Sequence, residues 1–242
     1  MNRDDGAALV ELVGVRFARH RRRVLDIERL VVERGRVLLL GGPNGSGKTT
    51  LLKLLAGLLV ASSGVFRCLG ATMTPRAAAR FCRGRHVYLH QAPYLFDGTV
   101  EDNVSYGLKL RGRDPGQRRL EIRDALAWAG LEHLVDRPAR QLSAGEQQRV
   151  ALVRARILSP ALLLLDEITA NMDLDSRRRT YALVDDLRRR GSSVVFASHD
   201  PEPRTVLDAD GLLLADGRLV TAPPATATVI PLARPASRPE VS

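Results

Sequence analysis

The stretch Gly41-Gly42-Pro43-Asn44-Gly45-Ser46-Gly47-Lys48-Thr49-Thr50 constrains this chain more than any other. From Gly42 it reads G-x-x-x-x-G-K-T. The apolar run Val37 to Leu40 precedes it and reads as a buried strand. Leu51-Leu52-Lys53-Leu54-Leu55-Ala56 follows and reads as a helix. Glycines let the backbone curl between the two, so that several N–H groups point at one anion. The helix N-terminus adds partial positive charge. Such a cradle suits phosphate. Lys48 is placed for β- and γ-phosphates and the Thr49 hydroxyl for Mg²⁺, while Gly42 to Gly47 and Thr50 line the loop. The competing reading is a glycine-rich turn capping an ordinary βα unit. Only three lysines occur, at 48, 53 and 109, and arginine serves nearly everywhere else. A compact ammonium fits between phosphates where a planar guanidinium does not.

At 242 residues the chain is long enough for one domain with lobes and a large core. No apolar run approaches the ~20 residues of a membrane span. The polar start Met1-Asn2-Arg3-Asp4-Asp5 argues against a signal peptide. Cys68 and Cys82 lack metal-ligand spacing and read as buried, inert thiols in a reducing compartment. Net charge is +10, with arginine runs at 21–23, 177–179 and 188–190. Aromatic residues are not interleaved with these runs, which favours solvated faces over nucleic-acid binding.

Alternating apolar residues predict strands over Val10–Phe17 and Leu25–Val32, joined by a basic turn at Arg19–Arg23. Phe17 either stacks on a purine or packs in the hairpin core. Gly64–Gly70 reads as a strand, Pro75–Arg83 as a short helix, and His86–His90 as a strand running into Gln91. A side-chain amide at Gln91 can ligate Mg²⁺ or position water; otherwise it is a surface residue. From Ala92 to about Gln141 the pattern is helical. Thr99 to Asp102 marks one helix start, which runs towards Gly112; Arg113 to Gly116 reads as a turn, and a second helix ends at Gly130. Pro93-Tyr94-Leu95-Phe96 is apolar and suits either a partner or the insertion's own helices.

Leu142-Ser143-Ala144-Gly145-Glu146-Gln147 opens another helix, with Ser143 and Glu146 as a capping box. Its free N-terminus also suits a second anion. Ala161 to Glu167 is an apolar strand ending in two carboxylates. Strand C-termini line the ligand crevice of parallel sheets, so Asp166 is placed to bind Mg²⁺ and Glu167 to polarise water. Ala170–Asp173 is a loop and Leu174–Arg190 a helix. Ser193 to Asp200 reads as a strand ending in His199, which is structural or bonds the γ-phosphate. Leu212–Val220 is a hairpin with an Asp-Gly turn. Residues 221–242, rich in Pro, Ala and Thr, read as a mostly disordered tail.

Together these residues resemble the ATP-binding subunit of ABC transporters over about residues 8 to 220. The resemblance implies an α/β P-loop NTPase fold with a mostly parallel core sheet. It adds an N-terminal antiparallel β subdomain and a helical insertion at about 92–150. It implies Walker A at Gly42–Thr49, an adenine-stacking aromatic at Phe17, the glutamine loop at Gln91 and the signature at Leu142–Gln147, which brings Ser143, Ala144, Gly145 and Glu146 to the nucleotide. It further implies Walker B at Leu162–Asp166, the catalytic carboxylate at Glu167, the D-loop at Ala170–Asp173 and the switch histidine at His199. Metal ligation falls to Thr49, Gln91 and Asp166. Ala144, Ile168 and Met172 depart from the family's usual glycine, proline and leucine, and Ile168 is expected to loosen the turn after Glu167.

The cofactors implied are ATP and Mg²⁺. The partners implied are a second copy of the chain, an integral membrane permease and an extracytoplasmic solute-binding protein, with no nucleic acid. The location implied is the cytoplasmic face of the membrane, peripheral through the permease. Residues Pro93–Val104 and Tyr106–Leu108 look like ATPases of bacterial oxyanion importers, the tungstate type above others. Rival readings are another importer, an exporter, a DNA-maintenance ABC ATPase and a small-molecule P-loop kinase.

Overall fold

The computed structural model describes residues 7–220 apart from 111 and 113. The expected tail at 221–242 and the first residues of the chain lie outside the described residues. Strands β1 (Ala8–Arg19) and β2 (Arg22–Glu33) form an antiparallel hairpin in which Phe17 faces Leu25 and Val10 faces Val32. The turn residues His20 and Arg21 have φ of 49° and 63°. Such left-handed turns match the twist of the flanking strands. β1 also pairs with β4 (Ser63–Cys68), which pairs with β5 (Ala71–Met73), so the first sheet runs β2-β1-β4-β5. Leu25 and Ile27 alternate into the core along β2, and Leu12 and Val15 of β1 join them because the alternation of β1 changes phase at Gly14, whose φ is 57°.

The second sheet contains β3 (Val37–Gly41), β6 (His86–His90), β7 (Leu162–Asp166), β8 (Ser193–Ala197), β9 (Asp210–Ala215) and β10 (Arg218–Val220). Its order is β10-β9-β3-β8-β7-β6, parallel throughout except for β10. Every residue of β7 and β8 is buried, as expected of parallel strands covered on both faces. Leu162, Leu164 and Val195 point into a core shared with β1, β2 and helix α1 (Lys48–Leu55). Leu163, Leu165, Val194 and Phe196 point into the opposite core. Helix α2 (Pro75–Cys82) packs on β4 and α1. Cys68 and Cys82 are buried, free thiols.

Between β6 and β7 the chain builds a helical layer of α3 (Val100–Leu110), α4 (Pro115–Ala129) and α5 (Ala144–Leu158). Thr99 caps α3 as its spacing suggests: its N–H and hydroxyl donate to Asp102 Oδ2 at 3.0 and 2.9 Å, and Asp102 N–H donates back at 3.1 Å. The expected turn through Gly116 is shorter than the sequence pattern suggests. Asp114 caps α4, and Pro115 and Gly116 are already helical. Proline at the first helical position has no N–H to leave unpaired. Gly130, at φ 65°, ends α4. α5 continues to Leu158 and packs against α6 (Leu174–Arg189), so the helical layer passes the expected boundary near 150. Trp128 Nε1 donates to Asp186 Oδ2 at 2.8 Å and fastens α4 to α6. A final short helix, α7 (Glu202–Val206), precedes β9.

Asn103, fully buried, governs the approach to α3. Its Oδ1 accepts from Phe96 N–H at 2.7 Å, and its Nδ2 donates to the carbonyls of Phe96 and Thr99 at 3.1 and 2.9 Å. Replacing Asn103 by Ala strands these buried backbone groups. The expected loss is about 2–4 kcal/mol of unfolding free energy, read as a lower denaturant midpoint with an unchanged m-value. A midpoint equal to that of the parent chain would contradict this account.

Candidate nucleotide site

The glycine loop lies at the C-terminal end of β3 and opens α1 at Lys48. It is held closely on two sides. A Cβ on Gly42, whose φ is 138°, would lie 2.1 Å from the Leu214 carbonyl oxygen. A Cβ on Gly47 would lie 2.8 Å from Leu25 Cδ2 and 3.3 Å from the Val24 carbonyl oxygen. Gly217 N–H donates to the Ser46 carbonyl at 3.0 Å, which ties the loop to the β9–β10 turn. Within the loop the Ser46 hydroxyl is buried without a partner. An unpartnered hydroxyl inside a glycine cradle fits an anion's oxygen atoms.

Lys48 is only 6% exposed. Its Nζ donates to the carbonyls of Gly42 and Pro43 at 2.8 and 3.2 Å, and sits 3.3 Å from His199 Nε2 and 3.9 Å from Glu167 Oε1. Burial pushes its pKa below the ordinary lysine value, and the charges of Glu167 and Asp166 oppose that shift. His199 Nε2 is in turn 2.9 Å from Glu167 Oε1. Lys48, Glu167 and His199 therefore meet although Lys48 lies more than a hundred residues from the other two. β8 ends at Ala197, so His199 stands two residues beyond the strand rather than at its last position. Glu167 has φ 53°. This left-handed conformation is unusual for glutamate, and it turns the carboxylate away from the path of β7. Ile168, directly after it, is buried in the core.

Asp166 ends β7 and is 3% exposed. Tyr88, on neighbouring β6, donates its hydroxyl to Asp166 Oδ2 at 2.7 Å. Burial, with the Asp166 contact, raises the Tyr88 pKa well above the phenol range and keeps it a donor. Sequence reasoning missed Tyr88, because only the parallel register Tyr88–Leu164 sets it beside that carboxylate. Gln91 is exposed just past β6. Its carbonyl and that of His90 accept from Gln148 Nε2 at 2.6 and 2.9 Å. Gln148, on α5, is a second residue missed; its lone signal was a polar side chain on an otherwise apolar helix face.

Phe17 is partly buried against the core shared with α1, and a Cβ on Gly47 would lie 2.8 Å from its cross-strand partner Leu25. The Ser143 segment is not brought to the loop. Ser143 caps α5: its N–H and Oγ donate to Glu146 Oε2 at 2.7 and 2.9 Å, and Glu146 N–H donates to Ser143 Oγ at 3.3 Å. Ser143 and Ala144 are exposed, and Gly145 lies against Ser176. Thr49 is exposed next to Lys48.

A parallel sheet with a glycine loop, a buried lysine and a strand-end carboxylate defines a phosphate-loop nucleotide-binding protein. The family model described as ABC transporter matches residues 25–170, and the chain belongs to that family. It is 38% identical to the sulfate/thiosulfate import ATP-binding protein CysA of Nephroselmis olivacea, over 81% of this chain and 57% of that protein. It is 39% identical to the molybdenum import ATP-binding protein ModC of Aromatoleum aromaticum, over 83% of this chain and 54% of that protein. A probable anion import ATP-binding protein of Haloferax volcanii is 38% identical over 79% of this chain and 72% of its own length. Relatives named for import of Fe(3+) ions, cobalt and spermidine/putrescine match at 34 to 37%. The chain spans little more than half the length of several of these proteins. Among solved structures, cbiO1 from Clostridium perfringens, part of the ABC transporter complex cbiONQ, superposes with a TM-score of 0.80 at 26% identity. The match covers 90% of this chain and 88% of that one.

The close approach at Gly42 generates a prediction. Gly42→Ala must displace the loop from the Leu214 carbonyl. Affinity for a fluorescent ATP analogue is expected to fall at least about tenfold, a cost of about 1.4 kcal/mol, while the far-ultraviolet circular dichroism is kept. Unchanged affinity would show that the loop's position against β9 is not needed for binding.

Proposed function

We propose that residues 8–220 form one ATPase unit that drives an importer by hydrolysing ATP. The observation that carries this reading is the meeting of Lys48, Glu167 and His199 beside Asp166. In this assignment Gly42 to Thr50 wrap the phosphates, and Lys48 leaves the loop carbonyls to bond the β- and γ-oxygens. Phe17 stacks on the base. Glu167 orients the attacking water, and His199 holds the γ-phosphate while contacting Glu167. Among the described residues no three His, Cys, Asp or Glu side chains form a metal cage. The donors fit Mg²⁺ nonetheless: Asp166 has Oδ2 occupied by Tyr88, and Thr49 offers an exposed hydroxyl. Mg²⁺ is characteristically held by one or two protein oxygens together with substrate phosphates. Asp166, Thr49 and Gln91 are the residues that would hold it, and it would supply charge neutralisation at the phosphates.

Ser143, Ala144, Gly145 and Glu146, exposed or partly exposed at the start of α5, suit the nucleotide of a second copy. A helix N-terminus open to solvent is suited to an anion. Among the described residues no helix is long and apolar enough to cross a membrane. In this reading the membrane path belongs to a separate permease, with this chain docked on it at the cytoplasmic face. A suitable docking patch lies at the start of the helical layer. There Tyr94 is 78% exposed, Phe96 and Tyr106 stack at 4.8 Å, and Arg154 covers Phe96. For cargo, the reading is tungstate or a related oxyanion; sulfate, molybdenum and anion import occur among the relatives' names, beside Fe(3+) ions, cobalt and spermidine/putrescine. An extracytoplasmic binding protein would deliver it.

Glu167→Gln is expected to keep ATP affinity within about threefold and to lower turnover by 10² or more, trapping an ATP-dependent dimer visible by size-exclusion chromatography. Turnover near that of the parent chain would remove Glu167 from the chemistry. Ser143→Arg is expected to bind ATP as a monomer and fail to dimerise; wild-type hydrolysis by that variant would end the two-copy reading. For the cargo, the chain is reconstituted with its permease and binding protein, and ATPase stimulation is compared for tungstate, molybdate, phosphate and sulfate. Stimulation by another solute and not by tungstate would overturn the cargo while leaving the ATPase assignment standing.

A further inference from the structure

Behind the nucleotide site, α6 carries a polar cluster that none of the roles above uses. Arg177, in the first turn of α6, donates from one guanidinium nitrogen to two carboxylates, Asp200 Oδ2 at 2.9 Å and Glu202 Oε2 at 3.1 Å. Tyr181, one turn further along, donates to Glu202 Oε2 at 3.2 Å. Tyr181 also lies near Thr169, which is buried two residues after Glu167. The acidic pair is itself folded tightly: Glu202 N–H donates to Asp200 Oδ1 and Asp200 N–H to Ser198 Oγ, both at 2.9 Å. The turn containing His199 therefore hangs from Arg177, with Tyr181 as a second support through Glu202.

We propose that Arg177 is a positioning residue that sets His199 against Glu167 by clamping Asp200 and Glu202 to α6. The proposal rests on the assignment of His199 to the γ-phosphate. Physically, two carboxylates share one cation here. Without it they repel each other and the His199 turn opens, since like charges this close disfavour their common arrangement. Glycine is not required in this turn; ion pairing supplies the rigidity. α6 also carries Asp173 as its cap, which accepts from Ser176 N–H at 2.8 Å, and Thr180, whose hydroxyl contacts Met172 Sδ at 3.6 Å. The first two turns of α6 thus hold the 170–173 loop and the His199 turn together, so that movement of either is felt by the other.

The test compares Arg177→Met, which keeps the aliphatic stem, with Arg177→Lys, which keeps a cation, each in the parent chain and in a His199→Ala background. Arg177→Met is expected to lower kcat about tenfold or more with ATP affinity within about twofold, and Lys to restore part of the loss. In the His199→Ala background the same change is expected to cost less than about twofold, because residues acting through one another are not additive. The imidazole resonances of His199, read by NMR in the nucleotide-free chain, are expected to shift with Arg177→Met and less with Lys. Equal losses in both backgrounds, or His199 resonances that do not move, would overturn the clamp. If His199→Ala alone hydrolyses ATP at the parent rate, the γ-phosphate role of His199 falls, and the resonances still decide whether Arg177 holds the turn. Should Arg177→Met not fold, the Lys variant carries the same NMR comparison, and unshifted His199 signals there together with unchanged kcat would overturn the proposal.

Discussion

The site depends on one constraint, the in-register parallel pairing of β6, β7, β8 and β3. Leu40 faces Ala197, Asp166 faces Ala197, and His90 faces Asp166. All four strands therefore release their chains at one edge, and the glycine loop, Glu167, His199 and Gln91 each begin within a few residues of it. Parallel strands are buried on both faces, so a register slip would turn leucines from one core into the other. The cores on the two faces of the sheet fix the register, and the register fixes the chemistry.

The buried charged groups at that edge have protein partners. Lys48 is buried, yet it bonds two loop carbonyls and lies near Glu167 and His199. Asp166 is buried, yet it accepts the Tyr88 hydroxyl. A buried charge left alone would be costly, and each of these has partners that a phosphate or metal ion can replace. The left-handed Glu167 is followed by Ile168, packed in the core. Local strain of this kind persists where the surrounding core over-determines the backbone.

Much of this was legible because the signals are local. The loop between Val37–Leu40 and Leu51–Ala56, the caps at Thr99 and Ser143, and the Asp-Gly turn at 216–217 each declare themselves within ten residues. The turn before α4 was less clear, since Asp114-Pro115-Gly116 carries turn residues that also serve as a helix cap followed by an N-terminal proline. His199 was placed at a strand end because Ser198 and His199 continue the polar close of an apolar run, and no short-range signal marks where ladder pairing stops. Tyr88 and Arg177 sit in stretches whose periodicity is fully explained by their own elements, and Gln148 shows only as a polar side chain on an apolar helix face, which does not name its long-range partner.

The sequence by itself determined the strand, glycine loop and helix at 37–56, the acidic strand end at 166–167, and the capped helix at Ser143, because backbone sterics and capping act over a few residues. The tertiary structure alone decided that Lys48 meets Glu167 and His199, that Tyr88 holds Asp166, and that Arg177 spans Asp200 and Glu202. It also decided that Ser143, on the helical layer, is exposed and bonded to Glu146, with no contact to the Lys48 loop among its hydrogen bonds. Those outcomes depend on which strands become neighbours and in what register, and that is settled by burying two cores at once rather than by any short stretch of residues.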